Sequence, residues 1–204
     1  MGSPAGQAAG DPSFRGGVRR RGSKVVVMAL ANSLGFVDLE AMPDDGRRYE
    51  LIGGAIVMTP APGPTHQLVS ARLLRLLEDT KPEGHAVFHA PIDLDLPGEQ
   101  RVQPDLVLLP WSSVGEQRLG RPVLLVVEIV SPGSRTNDTV TKRAVYAAAG
   151  IPAYWIVDPI DNQITALRLD DSGSYRTEAE GPTVSLDWPV PVELDIGSLR
   201  QPPA

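Results

Sequence analysis

The run Val123-Leu124-Leu125-Val126-Val127-Glu128-Ile129-Val130 constrains this chain more than any other stretch. Its side chains are apolar on both parities apart from Glu128, so as a strand it has no face to offer water. Such a strand is central in its sheet and covered on both sides, which calls for helices packed on a sheet. Glu128 lies inside that strand, where a carboxylate is costly unless it is paired, hydrogen-bonded or metal-bound. The most apolar strand of the protein does not need a carboxylate for stability.

The neighbouring text supplies the rest of a mixed α/β layer. Phe36–Met42 reads as a short helix stopped by Pro43 and the Asp44-Asp45-Gly46 turn. Tyr49–Ile52 and Ala55–Met58 flank Gly53-Gly54, a two-residue hairpin loop. From His66 to Leu77 the apolar residues Leu68, Val69, Leu73, Leu76 and Leu77 recur at helical spacing. Val87–Leu96 and Val102–Leu109 read as strands that precede the apolar run. A helix over about Asp138–Ala149 ends at Gly150 and Pro152, and it sets Asp138, Lys142 and Tyr146 at successive i, i+4 positions on one face. Tyr154–Asp158 is another buried strand, Gln163–Leu169 its hairpin partner, and Val184–Leu194 a short β-like tail.

Composition removes several classes of function. With no cysteine among 204 residues there is no disulfide, thiolate zinc site, iron–sulfur cluster or cysteine nucleophile. A formal charge of −6 excludes a general basic coat for nucleic acid, though not a local basic groove. No apolar run reaches the roughly 18 residues of a membrane span. The first thirty residues hold Arg15, Arg19, Arg20, Arg21 and Lys24 against Asp11, net +4, which leaves −10 for the rest of a chain whose total is −6. Rich in Gly, Ser, Pro and Ala, residues 1–30 read as a disordered basic tail rather than a secretory signal, and residues 34–200 as one domain. A cytoplasmic location is the expectation that follows.

The chemistry concentrates in Asp105, Glu128 and Lys142, with Glu50 and Gln103 in support. Adjacent strands lie about 4.8 Å apart, so Asp105 and Glu128 on the same face of two neighbours hold one hard cation between them. Carboxylates and water suit Mg²⁺ or Mn²⁺, which lower the pKa of a bound water and orient a scissile phosphate. A lysine nearby positions that water or neutralises charge on the phosphorane. The structural alternative pairs Glu128 with Lys142 and leaves Asp105 as a strand end.

Several ordered motifs resemble the Uma-two restriction-endonuclease-like family, a branch of the PD-(D/E)XK nuclease superfamily. They are Gln103-Pro104-Asp105-Leu106, Val127–Pro132, Lys142–Tyr146 and Gly150–Asp158, with Arg47–Ile52 and His66 toward the amino terminus. The resemblance implies a restriction-endonuclease-like mixed sheet flanked by helices, with an added N-terminal hairpin and a C-terminal β segment. It also implies that Asp105 is the acid of the Pro-Asp motif, Glu128 the second acid and Glu50 the remaining metal carboxylate. The superfamily lysine two residues after the second acid is replaced here by Val130; in the branch this chain resembles, Lys142 of the following helix takes that role. Gly53, Ala55 and Gly133 depart from the family pattern without removing any of these residues.

Other candidates carry less. His85 and His89 flank a strand start at a spacing that does not converge on a metal. His66 stands at a helix start, where phosphate contact, capping and packing compete. Ser131 lacks the Gly-x-Ser-x-Gly elbow of a serine hydrolase. Asp93 and Asp95 share a solvated strand face, and Arg101, Arg118, Arg121, Arg135 and Arg143 are a solvated set unless clustered at the site. The expected protein is therefore a Mg²⁺- or Mn²⁺-dependent endodeoxyribonuclease with Asp105, Glu128 and Glu50 around the metal. Lys142 supports the nucleophile, Gln103 orders the site, and His66, Asp138 and Tyr146 assist. One active site per chain cutting two strands of DNA calls for a homodimer. The rival is a non-catalytic nucleic-acid or protein binding module that keeps the fold; a weaker third reading is a hydrolase of another phosphate ester.

Overall fold

The computed structural model describes residues 26–28, 33–59, 61–132, 134, 135 and 137–200. Its strands form two principal sheets. Five short strands, β1 (Val26–Met28), β2 (Arg48–Ile52), β3 (Ala55–Thr59), β5 (Leu94–Leu96) and β6 (Gln100–Val102), make a sheet ordered β1-β3-β2-β6-β5. The larger sheet contains β4 (His85–His89), β7 (Leu106–Pro110), β8 (Leu125–Ile129), β9 (Ala153–Asp158), β10 (Gln163–Leu169) and β11 (Tyr175–Gly181), ordered β11-β10-β9-β8-β7-β4. Its central β8–β9 pair is parallel and the other pairs are antiparallel, so the sheet is mixed. A small antiparallel pair, β12 (Thr183–Leu186) and β13 (Val192–Asp195), completes the strands.

The helices cover the larger sheet on both faces, as the apolar run requires. Every residue of β8 is buried. Leu125, Val127 and Ile129 face α2 (Pro64–Thr80) through Val69, Leu73 and Leu77, with β12, β13 and α4 (Ile196–Arg200) closing the same layer. Val126 and Val130 face α3 (Lys142–Ala148) through Val145 and Tyr146, with Ala149 just past its end. The five-stranded sheet sends Ile52, Val57, Leu94 and Val102 into that second layer. By strand alternation Glu128 shares the face of Val126 and Val130, so it points into the layer between α3 and the smaller sheet. The short α1 (Phe36–Glu40) packs over β2 with Leu34, Leu39, Leu51 and Ile56.

Two expected strands are each divided, and the division positions the site. Val87–Leu96 becomes β4 and β5, and Val102–Leu109 becomes β6 and β7, with the parts in different sheets. Pro91 and Pro104 stand at the breaks; without an N–H, neither continues a ladder. The chain crosses between sheets there, which brings Gln103 and Asp105 to the junction. The helix expected over Asp138–Ala149 opens as a π-helical turn at Asn137–Thr141 before α3. Strand β11 and helix α4 have no counterpart in the sequence reading; β11 is exposed along most of its length, so it carries no apolar alternation to detect. Of the expected amino-terminal tail, Val26–Met28 pairs with β3, and residues 1–25 lie outside the described residues. None of the described helices is long and apolar enough to cross a membrane.

Candidate active site

Three strands and two helices deliver charged groups to the junction of the sheets. Strand β2 carries Arg48 and Glu50 two residues apart, so both leave the same side of it. Strand β8 carries Glu128. Asp105 immediately precedes β7, whose Leu106 pairs with Val127, so one more step of that register sets Asp105 opposite Glu128. Lys142 and Tyr146 come from α3, four residues apart on one helical face. Glu50 and Glu128 are 2% exposed, Asp105 3% and Lys142 4%, which is unusual for four ionisable side chains in one small region.

Each charge is compensated. Lys142 Nζ lies 2.9 Å from Glu50 Oε1 and 3.0 Å from Glu128 Oε1. The Tyr146 hydroxyl donates to the same Glu128 oxygen at 2.6 Å. Glu50 Oε1 also accepts the backbone N–H of Gln103 at 2.8 Å, which ties β2 to the segment entering β7. Asp105 forms the second half of the site. Its Oδ1 accepts from Arg48 at 3.0 Å; its Oδ2 accepts the Ile129 N–H at 2.8 Å and lies 3.0 Å from His66 Nε2. His66 projects from the first turn of α2.

These environments move the titrations in definite directions. Burial pushes the Asp105 carboxyl up, but the His66 hydrogen bond and charge, the Arg48 guanidinium and the Ile129 N–H outweigh it and hold the group at about 2. Burial works against the charged form of Arg48, yet Asp105, Glu128 and Glu50 together raise it above its ordinary value. Burial, then the Glu128 charge, pushes the Tyr146 phenol well above its usual range, so Tyr146 is a hydrogen-bond donor here at any physiological pH.

The sequence expectations meet this geometry unevenly. Glu50, Glu128, Lys142 and Tyr146 come together as one hydrogen-bonded cluster, with Gln103 attached through its main chain. The Gln103 side chain turns elsewhere: its Nε2 donates to Asp93 at 2.8 Å, and its Oε1 is buried with no partner among the described residues. The side chain of Asp138 lies outside the described residues. Asp93 and Asp95, read as solvated, instead pair with Gln103 and Arg101. Arg101 is itself buried, and its guanidinium also lies over the Phe36 ring. The principal omission is Arg48. Its position two residues before Glu50 on a strand was the available signal, since that spacing shares a face.

The donor chemistry of this site suits a hard cation. Mg²⁺ is commonly held by one or two carboxylates completed by water and substrate phosphate, and Asp105 and Glu128 are carboxylates in register on paired strands. Among the described residues no three acidic or histidine side chains converge as a ready-made cage. Glu50 and Glu128 hold Lys142 between them in this arrangement, so a cation here would rest on few protein ligands.

The model of the family described as "Putative restriction endonuclease", Uma2, matches residues 36–197. This chain belongs to the Uma2 family. Its match spans every element from α1 to the start of α4 and therefore includes Glu50, Gln103, Asp105, Glu128 and Lys142. The fold is similar to that of a "putative nuclease belonging to DUF820" from Anabaena variabilis ATCC 29413, solved by crystallography. The two superpose with a TM-score of 0.63 at 20% identity, over 81% of this chain and 97% of the other. No curated protein matches the sequence.

Proposed function

We propose that this Uma2 protein is a metal-dependent endonuclease that hydrolyses phosphodiester bonds of DNA at the Asp105–Glu128–Lys142 cluster. The observation that carries the reading is the burial of Glu50, Asp105, Glu128 and Lys142 at one sheet junction. Stability alone gives no reason to keep such a group, since well-packed apolar residues serve as well or better. Asp105 and Glu128, with Glu50 beside them, are the residues that would hold Mg²⁺ or Mn²⁺. When bound, that ion supplies a water of lowered pKa and a Lewis acid for the phosphate oxygens.

The chain's own residues do the positioning. The Ile129 N–H and the Arg48 and His66 side chains fix both oxygens of Asp105 and keep it ionised. Tyr146 orients Glu128, and the Gln103 N–H orients Glu50. Lys142, charged between two carboxylates, is the cation that neutralises negative charge developing on the phosphate oxygens. Placing these groups on strands and a packed helix limits their motion, which is how a site saves orientation cost at the moment of reaction. A cytoplasmic homodimer, one site per strand of the duplex, completes the proposal.

One observation favours a second reading, a binding module without turnover. Every carboxylate of the cluster already has a cationic partner, so the charges are balanced as they stand. Supercoiled plasmid separates the two readings. The nuclease reading expects nicking in Mg²⁺ or Mn²⁺ that EDTA stops and that Asp105→Ala and Glu128→Ala each abolish. Cleavage surviving both substitutions would sink the site assignment. Folded protein that neither cleaves nor takes up Mn²⁺ would favour the binding module.

A further inference from the structure

We propose that Arg48, His66 and the amino-terminal turn of α2 form a subsite for a backbone phosphate of nucleic acid, adjoining Asp105. The inference deepens the nuclease reading and rests on it for the identity of the ligand. A cavity of about 160 Å³ opens there, lined among others by Gly46, Arg48, Pro62, His66, Ser70 and His89. That is more room than one water needs. Among the described residues of its lining Asp105 is the only acid, and both Asp105 oxygens are already engaged.

Two nitrogens at this cavity lack partners among the described residues. Arg48 uses one terminal nitrogen on Asp105, while its buried Nε has no hydrogen-bond acceptor. His66 uses Nε2 on the same carboxylate, and its Nδ1 is buried without a partner on a side chain that is only 10% exposed. Buried polar groups are seldom left unmatched in native proteins, and those that are call for an explanation such as an absent ligand. A guanidinium presents its donors in a planar fork suited to phosphate oxygens.

Helix α2 adds a third feature. Its 17 residues begin after Gly63, which provides no side-chain cap, with Pro64 in the first turn and no acidic residue there. The free N–H groups of such a terminus and its positive dipole end favour an anion. An anion supplied from outside meets the uncapped turn, the Arg48 Nε–H and the His66 Nδ1 together. On a chain whose described part is rich in acid, phosphate recognition needs such a local concentration of cationic groups, because most nucleic-acid affinity is electrostatic.

The test is binding without turnover, on the full chain in EDTA. A fluorescein-labelled DNA duplex lacking terminal phosphates is titrated by anisotropy across a salt series. Arg48→Gln is expected to weaken binding about tenfold and to lower the slope of log K against log salt by about 0.9, the loss of one phosphate contact. His66→Gln is expected to weaken it in the same direction. Arg48→Lys should recover the slope while falling short of full affinity, because the planar fork is lost. Arg176→Gln, an exposed site on β11, should leave binding within about twofold of wild type. Inorganic phosphate should compete with the duplex on wild type and not on Arg48→Gln.

Unchanged affinity and slope in folded Arg48→Gln would overturn the subsite, as would absence of duplex binding by wild type. Binding that appears only with a 5′-phosphate would replace the backbone ligand by a terminal one. Should Arg48→Gln fail to fold, His66→Gln and Arg48→Lys carry the same comparison. Plasmid nicking by the same preparation keeps the two ideas apart. Nicking with Arg48-independent binding refutes the subsite alone. Arg48-dependent binding with neither nicking nor Mn²⁺ uptake refutes the nuclease reading alone.

Discussion

Replacing Lys142 by methionine removes the ammonium that Glu50 and Glu128 share. Its Nζ lies within 3.0 Å of both carboxylates, and all three side chains are 4% exposed or less. Removing one member of a buried ion pair costs about 3–5 kcal/mol, because the remaining charge stays buried. Here one ammonium serves two carboxylates, which pushes toward the upper end. The Tyr146 hydroxyl and the Gln103 N–H remain on those carboxylates and hold the cost below that of two separate pairs. The expected loss is therefore about 4 kcal/mol. For a chain of this size that is roughly 12 °C in Tm. The triple variant Lys142→Met with Glu50→Gln and Glu128→Gln removes the stranded charges and should return to within about 1–2 kcal/mol of wild type. Urea unfolding followed by tryptophan fluorescence measures all three, and added salt should change the differences little because the groups are buried. A Lys142→Met loss under about 1 kcal/mol, or a triple variant no more stable than the single one, would refute the reasoning.

Three further outcomes are expected. Asp105 titrates near 2 against an ordinary 3.8, so its contribution of about 2 kcal/mol is present above the ordinary value and lost as pH falls through 2. Urea midpoints of wild type and Asp105→Asn should therefore converge between about pH 5 and pH 2, and a constant difference across that window would count against the Arg48–His66 clamp. Tyr146→Phe removes a donor to a buried carboxylate and should cost about 1.5–3 kcal/mol, with native absorbance titration unchanged through the ordinary phenol range because that phenol stays protonated there. A new low-pH phenol titration assigned to Tyr146 would contradict its placement. Leu125→Ala opens a cavity at the start of β8, where the residue is fully buried, and should cost about 3 kcal/mol by urea unfolding; a cost under about 1 kcal/mol would mean that the strand is not central.

The periodicity of the sequence was enough for the central layer. The apolar run around Glu128, the helical spacing of Val69, Leu73 and Leu77, and the hairpin at Gly53-Gly54 are local patterns, and each becomes the expected element. Local pattern failed where the chain changes sheets. Val87–Leu96 and Val102–Leu109 look continuous because alternation does not record which sheet a strand joins; Pro91 and Pro104 were the signals of the change. The exposed strand β11 had no signal at all, since a solvated edge strand needs no apolar face.

The site divides along the same line. The sequence alone determined that Glu128 is buried, because a carboxylate inside a strand covered on both faces has nowhere else to go. It also determined that Lys142 and Tyr146 share a face, because four residues make about one helical turn. Only the tertiary structure decided which charges meet. Lys142 reaches Glu50 across 92 positions of chain, Arg48 and His66 converge on Asp105 from a strand and a helix, and the Gln103 side chain leaves for Asp93. Pairings of that kind depend on how two sheets and a helix pack against one another, and the free energy that selects them is shared by residues far apart in sequence. No window of neighbouring residues contains it.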